Sequence, residues 1–399
     1  MNIFKKAFCR VYQLAFRAAL PVLPYREPKI LGDIAEIAPV LAGKKISSVL
    51  LVTDKFLFES GITDRLRSSL ADAGIKCAVY SDTRPNPTVQ NCDEAKALYI
   101  NEGCNAIIAF GGGSSIDCAK ALGILIAYPK KTLEQMRGNL KVWRRIPTLF
   151  AIPTTAGTGS EVTVTAVITD PERKHKYTAN NFTTIPHYAV LDPEVTFTLP
   201  KHLTATTGMD ALTHAVEAYI GRSTSKETRG LSLEATRLIF QNIEVAYNNP
   251  TDRNARENML RASYMAGMSF TKSYVGYIHA VAHSLGGQYN IPHGLANSVL
   301  LPIVLRDYGS IIHKKLWNLG KAAGVVSDTD TIEDGAEKFI RAIEEKNSNM
   351  GIGKTFPEIK KEDIPTMAHH ADKEGNPLYP VPRLMDAREL EKYYLAVME

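Results

Sequence analysis

The sequence predicts two domains of different class: an α/β domain with a doubly wound, mostly parallel sheet, followed by an all-α domain. Three observations lead to this prediction. Between residues 45 and 195, short β-rich runs alternate with helical patterns, as they do in doubly wound sheets. After residue 196, strand-like runs nearly vanish and apolar residues recur with a helical period. The length of 399 residues also exceeds what one hydrophobic core usually spans.

Residues 1–25 predict an amphipathic helical leader. Apolar residues recur at helical spacing from Phe4 and Phe8 to Ala18, whereas Arg10 and Arg17 interrupt the uncharged run that a secretory signal peptide needs. We expect this helix to pack on the body of the protein or on another subunit, with binding to a membrane surface as the alternative. No run of 18 apolar residues occurs, so no transmembrane segment is predicted.

The α/β domain is placed at residues 26–195. Its strands are predicted in order at 47–54, 76–82, 105–110, 148–153 and 188–193, and helical patterns separate the first three. The all-α domain is placed at residues 196–399, after a boundary marked by prolines. Its helices are predicted at 204–220, 225–247, 253–272, 278–288, 294–305 and 330–346.

Composition and charge exclude several classes of protein. Hydrophobic residues make up 45% and charged residues 22%, which is ordinary for a globular protein and excludes disorder, collagen and coiled coil. The net charge of +5 is spread along the chain without the basic patch of a nucleic-acid-binding protein, so no nucleic-acid partner is expected. The five cysteines form no C-x-x-C pair, which favours a reducing compartment, the cytoplasm, over a disulfide framework.

Two loops at strand ends carry residues suited to phosphate binding. Residues 110–120, FGGGSSIDCAK, place glycines between a strand and a helix, where free N–H groups and the helix dipole favour an anion. Residues 153–161, PTTAGTGSE, add hydroxyl groups after the next strand. Each loop alone could be a plain turn, and neither matches G-x-G-x-x-G or a Walker loop. Together, at the carboxyl ends of strands in one sheet, they predict a dinucleotide site.

A cluster of histidines and one acid predicts a divalent-metal site. Asp210 and His214 are four residues apart on a predicted helix, so they share one face. His279 and His283 share a face in the same way, and His293 follows shortly after a proline. A single histidine on an apolar helix is usually a core residue, but three in one window favour a metal, and nitrogen and carboxylate ligands suit Fe²⁺ or Zn²⁺. Spacing alone leaves open whether His279 or His283 binds it.

Four segments resemble the signatures of the iron-containing (group III) alcohol dehydrogenases. They are GGGSSIDCAK, PTTAGTGSEVT, GMDALTHAVEAY and HAVAHSLGGQYNIPHGLAN. This family includes butanol, lactaldehyde and 1,3-propanediol dehydrogenases, and the resemblance covers nearly the whole chain from about residue 26. It implies an NAD- and metal-dependent enzyme that interconverts a small primary alcohol and its aldehyde by hydride transfer, in the cleft between the two domains. It also implies a homodimer or higher homo-oligomer.

The resemblance implies roles for individual residues. The implied metal ligands are Asp210, His214, His279 and His293, and His283 would then be a catalytic proton relay beside the substrate. The implied NAD-binding residues are Asp54, Asn86, Gly112, Gly113, Ser114, Ser115, Thr154, Thr155, Thr158, Thr163, Thr165 and Lys176. Three of them have structural alternatives: a helix cap for Asp54, a turn for Asn86 and a surface ion pair for Lys176. As a carboxylate near the adenosine ribose, Asp54 would also favour NAD over NADP.

Other functions were weighed against this one. A glycerol or diol dehydrogenase would use the same residues. A lyase-type relative, similar to dehydroquinate synthase, would need a cluster of lysine and arginine for an acidic substrate, and the segment around the histidines holds Tyr, Gly, Ala and Leu instead. A structural protein that retains a dead site is disfavoured because all four expected metal ligands are present.

Overall fold

The computed structural model of the protein describes residues 1–170 and 175–398, and at Pro21, Asp170 and residues 175–177 it describes the backbone alone. The chain divides into two compact units. Residues Pro24–Thr198 form one, which we call the α/β unit, and Met1–Leu23 together with Leu199–Glu399 form the other, which we call the helical unit. The leader helix α1 (Ile3–Ala19) therefore groups with the C-terminal part of the chain.

The α/β unit contains two sheets. In chain order their strands are β1 (Lys29–Leu31), β2 (Ser48–Val52), β3 (Lys76–Tyr80), β4 (Ala106–Gly111), β5 (Gly138–Asn139), β6 (Thr148–Pro153), β7 (Thr165–Asp170), β8 (His175–Asn180) and β9 (Tyr188–Val190). Six strands form a parallel sheet in the order β1-β9-β6-β4-β2-β3, and the smaller sheet has the order β5-β8-β7. The smaller sheet pairs β7 with β8 in antiparallel register.

The central strands are buried on both faces, which explains their continuous apolar sequences. Every residue of β2 and β4 is buried, as expected for a parallel sheet covered by helices on both sides. Those helices are α2 (Ile37–Gly43), α3 (Lys55–Glu59), α4 (Asp64–Asp72), α5 (Val89–Asn101) and α6 (Gly113–Ala127). The predicted doubly wound, mostly parallel sheet is confirmed.

The strand order creates a switch point between β2 and β4. The chain runs from β2 to β3 on one side, and then crosses to β4 on the other side of β2. Connections leaving neighbouring strands in opposite directions open a crevice at the carboxyl ends of those strands, where α/β proteins bind ligands. The residues after β2 and β4 therefore border this crevice.

The described residues of the helical unit form helices and no strands. After α1 these are α7 (Lys201–Ile220), α8 (Lys226–Asn248), α9 (Arg253–Ser273), α10 (Tyr277–Tyr289), α11 (His293–Tyr308), α12 (His313–Ala322), α13 (Ile332–Asn349), α14 (Ile364–Gly375) and α15 (Ala387–Met398). The all-α prediction for this part is confirmed. The sequence did not predict α12, α14 and α15, which have 10, 12 and 12 residues and so too few turns to show a clear period. None of the described helices is long and apolar enough to cross a membrane.

Candidate active site

Helix α7 supplies two of the predicted metal ligands from the interior of the helical unit. It packs against α8, α9 and α11, and nearly all of its residues from Gly208 onward are buried. Asp210 and His214 lie one turn apart on it, with 2% and 5% of their surface exposed. The His214 ring stacks on Phe270 of α9, with 4.2 Å between ring centroids, which fixes the plane of the imidazole.

A turn between α10 and α11 brings the other histidines to the same place. Helix α10 carries His279 and ends at Asn290, which adopts a left-handed conformation with φ of 56°. Pro292 then precedes α11, which begins at His293. A β-carbon at Gly294 would lie 2.5 Å from the carbonyl oxygen of Thr206, so only glycine lets this end of α11 approach α7 so closely.

Four side chains from these three helices converge on one point. One ligand atom each from Asp210, His214, His279 and His293 lies within 4.8 Å of the others. The Oδ1 atom of Asp210 is 3.6 Å from Nε2 of His293 and 3.9 Å from Nε2 of His279. Tetrahedral ligands at 2.0–2.2 Å from a shared ion lie roughly 3.3–3.6 Å apart. The Asp210–His293 spacing falls in this range and the other spacings are somewhat longer, so a divalent ion here would draw the four side chains slightly closer together.

Glu217, which sequence reasoning missed, holds His279 in place. It is buried on α7, and its Oε2 atom accepts a hydrogen bond of 2.6 Å from Nδ1 of His279 and one of 2.8 Å from the backbone N–H of Gly276. Its Oε1 atom accepts a bond of 2.9 Å from the N–H of Ile278. Proton donation from Nδ1 leaves the Nε2 lone pair of His279 as an acceptor, and among the described residues Nε2 has no hydrogen-bond partner.

This arrangement has the signature of a metal ligand. A buried ring nitrogen without a partner costs about 1–3 kcal/mol, and a metal ion would satisfy it. Burial, together with the charges of the neighbouring histidines, lowers the pKa of His279 well below its ordinary value, which favours the neutral, ligating form. Burial also raises the pKa of Glu217 to about 7, although the hydrogen bonds from Gly276 and Ile278 act to lower it.

His283 lies beside this cluster and outside it. Its side chain is 44% exposed, and its ring stacks on His293 at 4.9 Å between centroids. Its Nδ1 atom is 2.6 Å from Oε1 of Glu374 on α14, which also accepts a hydrogen bond of 2.7 Å from the hydroxyl of Tyr379. Burial would raise the pKa of Glu374, but the His283 charge and these two hydrogen bonds keep it below its usual range. Sequence reasoning had not named Glu374.

In the α/β unit, the two predicted phosphate loops lie side by side because β4 and β6 are neighbours. Gly111 ends β4, and its carbonyl oxygen accepts a hydrogen bond of 3.1 Å from the N–H of Thr154, after β6. A β-carbon at Gly113 would lie 2.9 Å from Cγ2 of Thr158, so the close approach of the loops requires glycine there. Helix α6 begins at Gly113 without a capping side chain, next to the crevice described above.

Two charged residues on α6, the buried Lys120 and the half-buried Asp117, were also unpredicted and organise the threonine loop. The ammonium group of Lys120 donates hydrogen bonds to Oγ of Ser160 at 3.0 Å, to Oγ1 of Thr163 at 2.9 Å and to the carbonyl oxygen of Thr165 at 2.8 Å. Asp117 accepts a bond of 2.6 Å from the Ser160 hydroxyl. The only sequence signal was a D-x-x-K spacing on the predicted helix, which does not reveal the partners.

The remaining predicted cofactor residues occupy different positions around the crevice. Asp54 follows β2, and its Oδ1 atom caps α3 by accepting a hydrogen bond of 2.9 Å from the N–H of Leu57. Asn86, in a left-handed turn with φ of 58°, donates its backbone N–H to Oγ of Ser114 at 3.3 Å. Lys176 lies in β8, and its side chain lies outside the described residues. Of the other predicted residues, Gly112 and Thr155 lie in the two loops and Ser115 lies in the first turn of α6.

Sequence models of known families match almost the whole chain. The model described as iron-containing alcohol dehydrogenase matches residues 30–193, and the model of the C-terminal part of the Fe-containing alcohol dehydrogenase family matches residues 204–398. The two matched ranges include every candidate site residue described above. This chain belongs to the iron-containing alcohol dehydrogenase family. It is an oxidoreductase that acts on CH–OH groups with NAD, and the Asp/His cluster fits the family's iron.

Individual members of the family are similar to this chain over most of its length. The chain is similar to 1,3-propanediol dehydrogenase of Klebsiella pneumoniae, with 38% identity over 367 residues that cover 90% of this chain and 93% of the relative. A crystal structure of a 1,3-propanediol oxidoreductase covers 94% of this chain and 99% of its own at a TM-score of 0.90 and 36% identity. The structure of sulfoacetaldehyde reductase from Bifidobacterium kashiwanohense in complex with NAD⁺ has 26% identity, the same two coverages and a TM-score of 0.84. The predicted alcohol dehydrogenase activity is confirmed over the lyase-type and structural alternatives.

Proposed function

We propose that this alcohol dehydrogenase interconverts short-chain primary alcohols or diols and their aldehydes at a metal held by Asp210, His214, His279 and His293. The proposal rests on the convergence of these four ligand atoms within 4.8 Å. The hydrogen bond from His279 to Glu217 supports it by fixing the His279 tautomer. Bound there, Fe²⁺ or Zn²⁺ would polarise the substrate oxygen, and NAD would exchange the hydride. The 1,3-propanediol dehydrogenase relatives support a small hydroxylated substrate.

Side chains around the proposed metal orient one of its ligands and can accept the proton of the substrate hydroxyl. Asn297 donates a hydrogen bond of 2.7 Å from Nδ2 to Oδ1 of Asp210, which restricts how that carboxylate can rotate. His283 donates its Nδ1 proton to Glu374, which favours the tautomer that accepts a proton at Nε2. In alcohol oxidation His283 would receive the hydroxyl proton at Nε2, with Glu374 stabilising the charged imidazole.

The two loops of the α/β unit would bind NAD. The backbone N–H groups at the start of α6, with Ser114 and Ser115, would hold the pyrophosphate. The segment from Thr154 to Thr165, braced by Lys120, would line the cofactor with hydroxyl groups. The remaining proposed contacts are Asp54, Asn86, Gly112, Gly113 and Lys176. Capping of α3 uses one carboxylate oxygen of Asp54, so the same side chain can also meet the ribose and disfavour a 2′-phosphate.

A metal-content assay tests the division of roles among the histidines. His279→Ala should lose metal and activity together, because one of four ligands is gone. His283→Ala should keep metal near the wild-type amount while turnover falls by about 10²-fold. The activity assay uses a panel of alcohols and aldehydes, run with iron and then with zinc restored. Loss of metal from His283→Ala but not from His279→Ala would reverse the assignment.

We further propose that the enzyme works as a homo-oligomer in the cytoplasm. The edge strand β1 presents Ile30, which is 56% exposed, and an unpaired apolar edge is a common site for a second copy. The five cysteines are all free thiols, as is usual in a reducing compartment. Sedimentation velocity and cell fractionation test these two points, and a monomeric enzyme would exclude the first.

A further inference from the structure

Helix α1 is attached to the helical unit through a mixed face that holds Cys9, Gln13 and Phe16. Cys9 is buried and the Phe16 ring packs edge-on against Tyr274 at 5.0 Å between ring centroids, while Gln13 makes polar contacts. Its fully buried side chains include Gln13, which is 5% exposed. The Nε2 atom of Gln13 donates hydrogen bonds of 3.0 Å to the carbonyl oxygen of Pro377 and 2.7 Å to that of Tyr379. Since both acceptors are backbone atoms of one loop, Gln13 ties the middle of α1 to that loop.

Two basic residues extend this attachment along the helix. The ammonium group of Lys5 lies 2.8 Å from a carboxylate oxygen of Asp372. The guanidinium of Arg10 donates bonds of 2.9 and 3.1 Å to the carbonyl oxygens of Val381 and Pro382. Contacts at three successive turns therefore fix which face of α1 points outward.

The outward face is apolar along its whole length. Phe4, Phe8, Val11 and Leu14 are 83%, 62%, 67% and 66% exposed and follow one another at helical spacing. We call these four residues the outer stripe. An amphipathic helix on a globular protein ordinarily buries its apolar stripe and exposes its polar face. In α1 the outer stripe is exposed instead, and it forms a large apolar patch of the kind that marks an interaction site.

The charge of α1 favours an anionic lipid surface as the occupant. Four residues of α1 are basic and none is acidic. Lys5 is paired with Asp372 and Arg10 is bonded to backbone carbonyls, so Lys6 and Arg17 are the exposed cations beside the outer stripe. The guanidinium of Arg17 also lies against the backbone of Arg222, which adds another cation nearby. A second copy packed on the outer stripe would bring like charges together, whereas anionic headgroups would complement them.

Helix α1 is also separate from the sequence that defines the family. The two neighbouring structures described above match 94% of this chain and 99% of their own, so about 24 of the 399 residues here have no counterpart in them. The family matches begin at residue 30, so α1 lies outside both of the matched ranges. The sequence motifs that define the family therefore do not include α1.

We propose that α1 is an interfacial helix that binds the enzyme to an anionic membrane surface. The outer stripe enters the boundary between headgroups and acyl chains, and the basic residues at its flank contact the headgroups. A groove of about 400 Å³ along that flank, lined by Lys6, Arg10, Ile311 and Leu384 among others, offers further apolar and cationic surface to the lipid. The helix lies in the plane of the membrane and does not span it.

Vesicle flotation with the full-length, metal-loaded enzyme tests the proposal. The probes are phosphatidylcholine vesicles with and without about 30% phosphatidylglycerol. We expect the wild type to float with the anionic vesicles and to bind neutral ones at least about tenfold more weakly, with the difference shrinking as salt rises. The double variant Phe4→Gln/Phe8→Gln should lose at least about tenfold in binding to anionic vesicles, because it removes two aromatic anchors.

Two controls separate this effect from misfolding and from self-association. Trp143→Gln removes an aromatic side chain that is 72% exposed in the α/β unit, and it should bind vesicles as the wild type does. Turnover and metal content of the double variant should equal those of the wild type. A wild type that does not float, or a double variant that floats equally well, would overturn the proposal. A double variant that sediments as a smaller species without lipid would also overturn it, since a second copy would then cover the outer stripe.

Discussion

At the scale of single residues, Glu217 and Lys120 determine more of the candidate site than their sequence context suggested. Asp210, His214 and Glu217 follow the spacing i, i+4, i+7, so the sequence places Glu217 on the same stripe as two proposed metal ligands. The sequence could not show that its carboxylate meets His279, because that contact depends on how α10 packs against α7. The ligands were predictable because their residue types and spacing are themselves the chemical signal.

Substitution of Glu217 should weaken metal binding. In Glu217→Gln the amide can no longer accept from His279 and from both backbone N–H groups at once, so His279 loses its fixed tautomer. We expect the metal dissociation constant, measured by chelator competition, to rise about 10–100-fold. Glu374→Gln is the matched control, because Glu374 contacts His283 and not the proposed ligands, and its metal affinity should stay unchanged. Equal affinities for wild type and Glu217→Gln would contradict this role.

At the scale of elements, the sequence predicted what depends on local pattern. The buried strands β2, β4 and β6 were evident from continuous apolar runs, and the long helices α7 to α11 from their period. The tight packing of the two loops after β4 and β6 was not evident, because it depends on Gly113 facing Thr158 and on Lys120 reaching three acceptors at once. These contacts join residues far apart in the sequence, so they produce no periodic pattern of apolar residues from which they could be predicted.

Removal of the Lys120 ammonium should loosen the threonine loop. Lys120→Met leaves Ser160, Thr163 and the Thr165 carbonyl without their buried donor, and leaves the carboxylate of Asp117 without its neighbouring cation. We expect the free energy of unfolding of the α/β unit to fall by about 3–5 kcal/mol. NAD affinity, measured by titration calorimetry on the folded variant, should fall at least about tenfold. Lys55→Met, at a lysine whose side chain is 74% exposed, should change neither quantity.

The pairing of β6 with β9 should lose stability in mild acid. The ring Nδ1 of His187 accepts a hydrogen bond of 3.1 Å from the N–H of Leu149, and burial, aided by nearby cations, lowers the pKa of His187 from 6.5 to about 4. The unfolded chain therefore binds more protons between pH 6.5 and 4. The free energy of unfolding contributed by His187 is fully present above pH 6.5 and is lost as the pH falls toward 4.

A non-titrating acceptor tests this prediction. In His187→Asn the side-chain oxygen can replace Nδ1 as the acceptor, so denaturant melts of the variant should show a smaller loss of stability between pH 6.5 and 4 than the wild type. His202→Asn, at an exposed histidine, is the control and should follow the wild type. An unchanged pH dependence in His187→Asn would show that another group is responsible.

At the scale of the whole molecule, the two units divide the proposed chemistry between a metal centre and a cofactor site. The sequence predicted both classes of fold, because the change from alternating strands and helices to helices alone is visible in composition and period. It predicted a helix in the leader as well, but not that this helix would leave its apolar stripe exposed and attach by a mixed face. Amphipathicity reveals which residues share a face, and only the packing shows which face is buried.

Deletion of Met1–Leu23 should leave the chemistry intact. No proposed metal ligand or NAD contact lies in this segment, so turnover per bound metal should stay within about twofold of the wild type. The helical unit should melt at a lower temperature, because Asp372 loses Lys5 and the loop at Tyr379 loses Gln13. Steady-state kinetics with metal analysis and thermal melts measure the two effects. A truncated enzyme that is folded and metal-loaded but has less than about a tenth of the turnover would contradict this prediction.

The attachment of α1 also sets an order of events during synthesis. Lys5 and Asp372 are 367 residues apart in the chain, and ribosomes add about 5–20 residues per second. For roughly 20–70 s the nascent α1 is therefore outside the ribosome before its docking surface has been made. During that interval both faces of the helix are open to chaperones or lipid. Helix α1 is therefore made long before α14 but can dock only after α14 has emerged.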